Sequence, residues 1–182
     1  MLVSVPTKEF HESLLFTHRG LSGPAILQLS NYWHVSHQIC IDFLPGLDMQ
    51  RELLLAKEQR PSTRLKNELL NYLPKSLVQC MMKEWWQEFA DKSLQEIKKQ
   101  DLIRIAGDLN NWSITPSGTE GYRTAEVTRG GVCVDRISSK TMQHKEIENL
   151  FFVGEVLDVT GHLGGLNFHS PWSSGYVAGL HA

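Results

Sequence analysis

The chain has 182 residues, of which 41% are hydrophobic and 21% charged, and its net charge is -2. This length and composition suffice for a buried core in one or two domains, whereas the near-neutral charge gives no electrostatic reason to bind nucleic acid or an anionic membrane. The longest apolar runs are too short to span a bilayer, and residues 1–9 lack the sustained apolar segment of a signal peptide. We therefore predict a soluble, cytoplasmic protein without a nucleic-acid or membrane partner.

Metal binding and disulfides are not indicated by the cysteines or histidines. Cys40, Cys80 and Cys133 are far apart and show no CxxC spacing. His34 and His37 are three residues apart without further ligands nearby, which is typical of ordinary polar residues. We therefore expect no bound metal.

Strand and turn signals alternate in the first 44 residues. Residues 2–5 and 14–17 are short apolar runs typical of strands, and they could pair as a hairpin across the polar stretch between them. Pro24 follows a glycine-rich turn and suits the first turn of a helix. Residues 38–44 return to strand character.

Helical periodicity replaces strand patterning between Asp48 and Gly107. Asp48 and Ser62 are expected to cap helices, and the helical pattern is expected to end and begin again at Pro74. Residues 77–89 carry apolar side chains at spacings of three and four, including paired tryptophans that favour a buried core over a docking face. Ser93 and Glu96 form a capping-box signature.

Strand signals return after this helical block, at residues 112–115, 123–128 and 132–137. Strands on both sides of helices indicate an insertion. We predict an α+β fold with a discontinuous β-rich domain (1–44 and 109–143), an inserted helical domain (45–108) and a C-terminal segment (144–182).

The C-terminal segment carries a pattern suited to ligand binding. Residues 150–155 are typical of a buried strand ending in Gly154 and Glu155, and a glycine-rich loop follows at 161–168. Ser170 and Pro171 are expected to start the last helix, over 172–180. Glycines let the backbone approach a cofactor, and free amides at a helix start attract anionic groups.

Six colinear motifs resemble a known family. They are FTHRGLSGPAILQLS (16–30), AEVTRGGV (125–132), KTMQHK (140–145), GEVLDVTG (154–161), GGLNF (164–168) and WSSGYVAG (172–179). Together they resemble the bacterial NAD(P)/FAD-dependent oxidoreductases of YhiN and BaiN type, also labelled aminoacetone-oxidase-family flavoproteins.

The resemblance implies three domains: a Rossmann-like FAD domain formed by both ends of the chain, a β-barrel-like domain, and a helical domain inserted in it. The family's phosphate-binding GxGxxG turn is expected before Met1, since no segment here replaces it. The chain would therefore hold the C-terminal part of the enzyme only.

The resemblance also implies cofactor-binding residues. Gly154, Glu155 and Asp158 match the loop beside the ribityl chain of FAD, and Gly164, Gly165, Leu166 and Asn167 match the stretch that passes the isoalloxazine. Thr128, Gly130 and Gly131 match the turn leading back to the FAD domain. Leu166, His169 and Pro171 stand where the family usually has Tyr, Gln and Ala.

The catalytic residue is not identified by these motifs. His18 and His162 are candidate acid–base groups, with a turn-forming structural role as the alternative for His18.

The resemblance implies flavin-mediated hydride transfer to a small-molecule substrate, with NAD(P)H as the expected reductant. The alternative is a non-catalytic fragment or interaction module that folds without flavin. In either case, apolar surface on the C-terminal segment is expected to favour self-association.

Overall fold

The computed structural model describes residues 1–182 and shows a mixed α and β architecture, which confirms the predicted fold class. The strands are β1 (Leu2–Val5), β2 (Lys8–His11), β3 (Leu15–Phe16), β4 (Leu21–Ser22), β5 (Ile39–Asp42) and β6 (Trp112–Ile114). The helices are α1 (Pro24–Ser30), α2 (Met49–Gln59), α3 (Leu65–Leu69), α4 (Lys75–Glu84), α5 (Lys99–Asn110) and α6 (Leu166–Gly179).

The main sheet is antiparallel and has the strand order β2-β1-β5-β6. Val3 lies opposite Phe10 on one side and Ile41 on the other. Burial alternates along β1 and β5, so that Val3 and Ile41 point into the core while their neighbours are only partly covered. The period of two in these strands therefore follows the apolar pattern of the sequence.

The hairpin predicted between residues 2–5 and 14–17 is wrong. β1 pairs with β2, which covers most of the polar stretch interpreted as a connection, and β3 pairs with β4. β2 lies at the edge of the sheet, where charged side chains remain in solvent and do not oppose strand formation. The polar character of these residues therefore did not indicate that they form a strand.

Helix starts in the helical block follow the sequence signals in most cases. The Asp48 carboxylate accepts a hydrogen bond from the Arg51 amide at the start of α2, Pro74 precedes α4, and the capping box of Ser93 and Glu96 is formed. Ser62 does not cap α3, which begins after Arg64 without a side-chain cap. The chain stays extended there because the Thr63 carbonyl accepts a hydrogen bond from the Leu94 amide.

The paired tryptophans belong to the core, as predicted. Trp86 is fully buried and donates a hydrogen bond from Nε1 to Asp108 Oδ2 at 2.9 Å, while Trp85 is half-buried. One continuous cluster of 24 buried side chains joins the sheet to the helices. β5 and β6 pair although α2–α5 lie between them in the chain, and the exact domain limits remain a prediction.

The strands predicted at 123–128, 132–137 and 150–155 are wrong. These segments are irregular, with short 3-10 turns at Val134–Arg136 and Gly154–Val156. Each pairing there is a single bridge, such as Val132 with Leu157 and Gln143 with Phe151. A strand needs a ladder of neighbours to satisfy its backbone, and these segments have none.

The last helix starts earlier than predicted. α6 begins at Leu166 after Gly165, whose φ of 92° is left-handed, and Pro171 therefore lies inside the helix. Proline at this position removes the hydrogen bond that its amide would donate to the Asn167 carbonyl. None of the helices has the combination of length and apolar character that crossing a membrane requires.

Candidate functional site

A small concave site lies where three segments of the C-terminal third meet. Its lining consists of Val127, Thr128, Gly154, Glu155, Val159, Asn167, Ser170 and Pro171. They come from the turn after residue 126, from the Gly154–Val156 turn with the chain that follows it, and from the first two turns of α6. The site therefore depends on the packing of these three segments.

The 128–132 turn is fastened to the segment after Gly154 by backbone contacts. The Val132 amide donates to the Val156 carbonyl at 2.8 Å, and the Asp158 amide donates to the Val132 carbonyl at 2.9 Å. The Asp158 carboxylate accepts from the Gly130 amide at 3.1 Å. Gly131 has a φ of 151°, and a Cβ there would collide with the Val156 carbonyl oxygen. The close approach therefore requires glycine.

The glycine-rich loop 161–165 is held against α6 by Asn167. Its side chain accepts from the Gly161 amide at 2.7 Å and donates to the Gly161 carbonyl at 3.0 Å. Gly164 and Gly165 both have positive φ, which lets the loop turn directly into the helix. Further along α6, the Ser174 hydroxyl accepts from the Gly154 amide at 2.9 Å. These contacts link the helix to the glycine-rich loop and to the Gly154–Val156 wall of the site.

The residues present fit a flavin in three respects. The Leu166 and Asn167 amides at the start of α6 have no acceptor in the chain, so they favour an electron-rich carbonyl or an anion. Glu155 is exposed at the site and can accept hydrogen bonds from hydroxyl groups. The Oγ1 of Thr160, which follows Val159 of the lining, is buried without a hydrogen-bond partner in the chain and is thus an unsatisfied polar group beside the site.

The structure brings together only part of the set expected from the motifs. Thr128, Gly154, Glu155 and Asn167 line the site. Asp158, Gly130 and Gly131 shape the neighbouring turn, while Gly164, Gly165 and Leu166 form the loop and the start of α6. Their individual contacts to a flavin remain predictions.

The two candidate histidines lie in different surroundings. His18 belongs to the turn between β3 and β4, where the Thr17 side chain closes the turn and Arg19 forms an ion pair with Glu120. It is not part of the site lining. His162 is likewise outside the lining: it lies in the glycine-rich loop, and its Nε2 is 2.7 Å from the Tyr32 hydroxyl oxygen.

Sequence reasoning missed three residues at or near the site. Val127 and Val159 line it, and both lie inside quoted motifs, so that the motifs themselves were the available signal. Tyr32 follows α1 and is brought to His162 only by folding. No local pattern marks that contact.

A family model described as the HI0933-like protein barrel and H2TH domain matches residues 2–127. The chain is 47% identical over 173 residues to a ribosomal RNA dihydrouridine synthase of Haemophilus influenzae, covering 95% of this chain and 43% of that protein. It is 46% identical over 168 residues to the protein of the same name from Escherichia coli, covering 92% and 42%.

A more distant relative is a 3-dehydro-bile acid delta(4,6)-reductase of Clostridium scindens, 27% identical over 174 residues, with coverage of 90% of this chain and 42% of that protein. The chain thus spans less than half the length of these relatives. The match over residues 2–127 and the identity to the synthases place the chain in the HI0933-like family.

Proposed function

We propose that the complete protein is an FAD-dependent reductase that adds two hydrogens across the C5–C6 double bond of uridine in ribosomal RNA. This chain would form the walls of its flavin site and its substrate side. The observation that carries the proposal is the 47% identity, over 95% of the chain, to a protein named for that product.

The names of the relatives share one chemistry. The uridine C5–C6 double bond is conjugated with the C4 carbonyl, and the double bonds of a 3-oxo delta(4,6) bile acid are conjugated with the C3 carbonyl. Reduction of such a bond adds hydride to the carbon remote from the carbonyl and a proton to the carbon next to it. A single type of site would therefore suit both substrates, and the higher identity to the synthase favours uridine.

The chain's own residues would hold and orient the cofactor. Asn167 fixes the glycine-rich loop, Gly154 and Thr128 border the cavity, and the α6 dipole favours an electron-rich flavin carbonyl by about 0.3–1 kcal/mol. A bound FAD would supply the hydride, with NAD(P)H as its source. The pyrophosphate of FAD would be held outside residues 1–182.

An RNA substrate differs from the prediction, drawn from composition, that the protein has no nucleic-acid partner. A net charge of -2 describes the whole chain, whereas recognition of a single flipped or unpaired base depends on a few local contacts. The small-molecule alternative is represented by the bile acid reductase. The fragment alternative rests on the chain spanning 42–43% of its relatives.

Flavin retention by this chain separates the enzyme proposal from the fragment alternative. The chain is incubated with FAD, desalted and examined by visible absorbance, with Asn167→Ala as the test variant and Asn71→Ala, an exposed asparagine, as its control. Because the pyrophosphate would be held outside this chain, we expect weak flavin retention that Asn167→Ala lowers further and Asn71→Ala leaves unchanged. A folded but colourless chain would favour the fragment alternative.

Substrate identity is tested with the complete protein, FAD and NADPH. Unmodified ribosomal RNA is incubated with the enzyme, digested to nucleosides and analysed by mass spectrometry for two added hydrogens on uridine. Free uridine and a 3-oxo delta(4,6) bile acid are the comparison substrates. Reduction of the bile acid but not the RNA would contradict the proposed substrate.

A further inference from the structure

Tyr32 and His162 form a contact between the N-terminal part of the chain and the glycine-rich loop. The Tyr32 hydroxyl oxygen lies 2.7 Å from His162 Nε2, across 130 residues of sequence. Phe10 packs edge-on against the imidazole with ring centroids 5.4 Å apart and an interplanar angle of 83°. The same phenylalanine contacts the Tyr32 ring at 5.8 Å. The imidazole is therefore held by one hydrogen bond and one edge-on ring contact, and Phe10 also supports the Tyr32 ring.

A second contact brings the same region to the candidate site. Arg129 donates a hydrogen bond from Nη1 to the Asn31 carbonyl at 2.8 Å. Asn31 precedes Tyr32, and Arg129 follows Thr128 in the wall of the site. The chain just after α1 is thus tied to one wall of the site through Arg129 and to the glycine-rich loop beside the site through His162.

The position of His162 leaves one ring nitrogen for a substrate. Gly161, its neighbour, is held by the Asn167 side chain, which lines the site. The residue is exposed, and its Nδ1 makes no hydrogen bond within the chain. With Nε2 committed to Tyr32, Nδ1 is the ring nitrogen that can meet a bound molecule.

We propose that His162 is the proton donor of the reduction and that Tyr32 is its positioning residue; this rests on the proposed function. In the protonated imidazole both ring nitrogens carry hydrogen, so Nε2–H donates to the Tyr32 oxygen and Nδ1–H faces the substrate. As hydride adds to C6 of uridine, the C5–C6 π bond breaks and its electron pair moves toward C5 and the C4 carbonyl. C5 takes the Nδ1 proton, which leaves a neutral imidazole that water reprotonates.

The histidine–tyrosine pair is tested first without turnover. Nitrogen-15 NMR of the imidazole groups in the flavin-free chain reports the hydrogen bond at His162 Nε2. Tyr32→Phe should shift that resonance, and Tyr122→Phe, at a tyrosine that is 86% exposed, should not. An unchanged His162 resonance in Tyr32→Phe would overturn the positioning role.

Half-reactions of the complete FAD-loaded protein then test proton donation. Stopped-flow absorbance follows flavin reduction by NADPH and, separately, flavin reoxidation by uridine-containing RNA. We expect His162→Gln to slow reoxidation by about 100-fold or more, the usual effect of losing a general acid, and to leave reduction unchanged. Tyr32→Phe should slow the same step by a smaller factor, and His181→Gln is the histidine control.

Equal slowing of both half-reactions would overturn the proton-donor role, because it would indicate only a disturbed flavin site. An absence of any effect on either half-reaction would also overturn it. Failure of the wild-type protein to reduce uridine would overturn the proposed function and, with it, the inference. That outcome is recognised in the wild type, before any variant is compared.

Discussion

Individual residues matter at this site chiefly through the backbone conformations they permit. Gly131 allows the 128–132 turn to approach the Val156 carbonyl, and Gly165 allows α6 to start directly after the loop. Asn167 adds a side chain that satisfies both the amide and the carbonyl of Gly161. Family motifs pointed to these positions, whereas their physical roles became apparent only from the contacts.

Gly131→Ala is expected to loosen the turn that borders the site. The added Cβ meets the Val156 carbonyl, and a φ of 151° disfavours any side chain, so we expect a local cost of about 1–3 kcal/mol. Hydrogen exchange of the Val132 amide, which donates to Val156, should accelerate. Gly118→Ala, where a Cβ has open space, is the control, and equal exchange in both variants would contradict the prediction.

Secondary-structure elements were predictable where their signals lie in neighbouring residues. Pro24, Asp48 and Pro74 mark helix starts through a fixed φ or a capping carboxylate, and both effects act within one turn. β2 and the start of α6 were not predicted, because an edge position and a left-handed glycine decide them. Ser62 shows that a local cap signal fails when the chain pairs elsewhere.

The α2 cap provides a stability prediction at this scale. Asp48→Ala removes the acceptor for the Arg51 amide and should lower the free energy of unfolding by about 1 kcal/mol. Asp48→Asn keeps an acceptor oxygen and should retain most of that stability. Urea denaturation measures both variants, and equal losses would show that the cap hydrogen bond is not the cause.

The whole molecule has an uneven distribution of exposed apolar surface. Phe168, Trp172, Tyr176 and Leu180 recur every fourth residue along α6 and its end, with exposures of 73%, 80%, 71% and 63%. Such spacing places them on one helix face. A continuous exposed stripe of this kind is unusual for a monomeric surface and favours association.

We therefore predict that the isolated chain self-associates through this stripe. Replacing Trp172 and Tyr176 by Ser should reduce the sedimentation coefficient at high protein concentration toward that of a monomer. Val35→Ser, at an apolar residue that is 71% exposed elsewhere, should leave association unchanged. Concentration-independent sedimentation of the unaltered chain would contradict the prediction.

The sequence alone determined the family, the helical block between two strand-forming regions, and four residues of the site lining: Thr128, Gly154, Glu155 and Asn167. These features are encoded by motifs and by signals between near neighbours. Only the tertiary structure decided the pairing of β1 with β2 and the contact between Tyr32 and His162. Strand pairing and contacts across 130 residues depend on how the chain closes on itself, and no short segment specifies that closure.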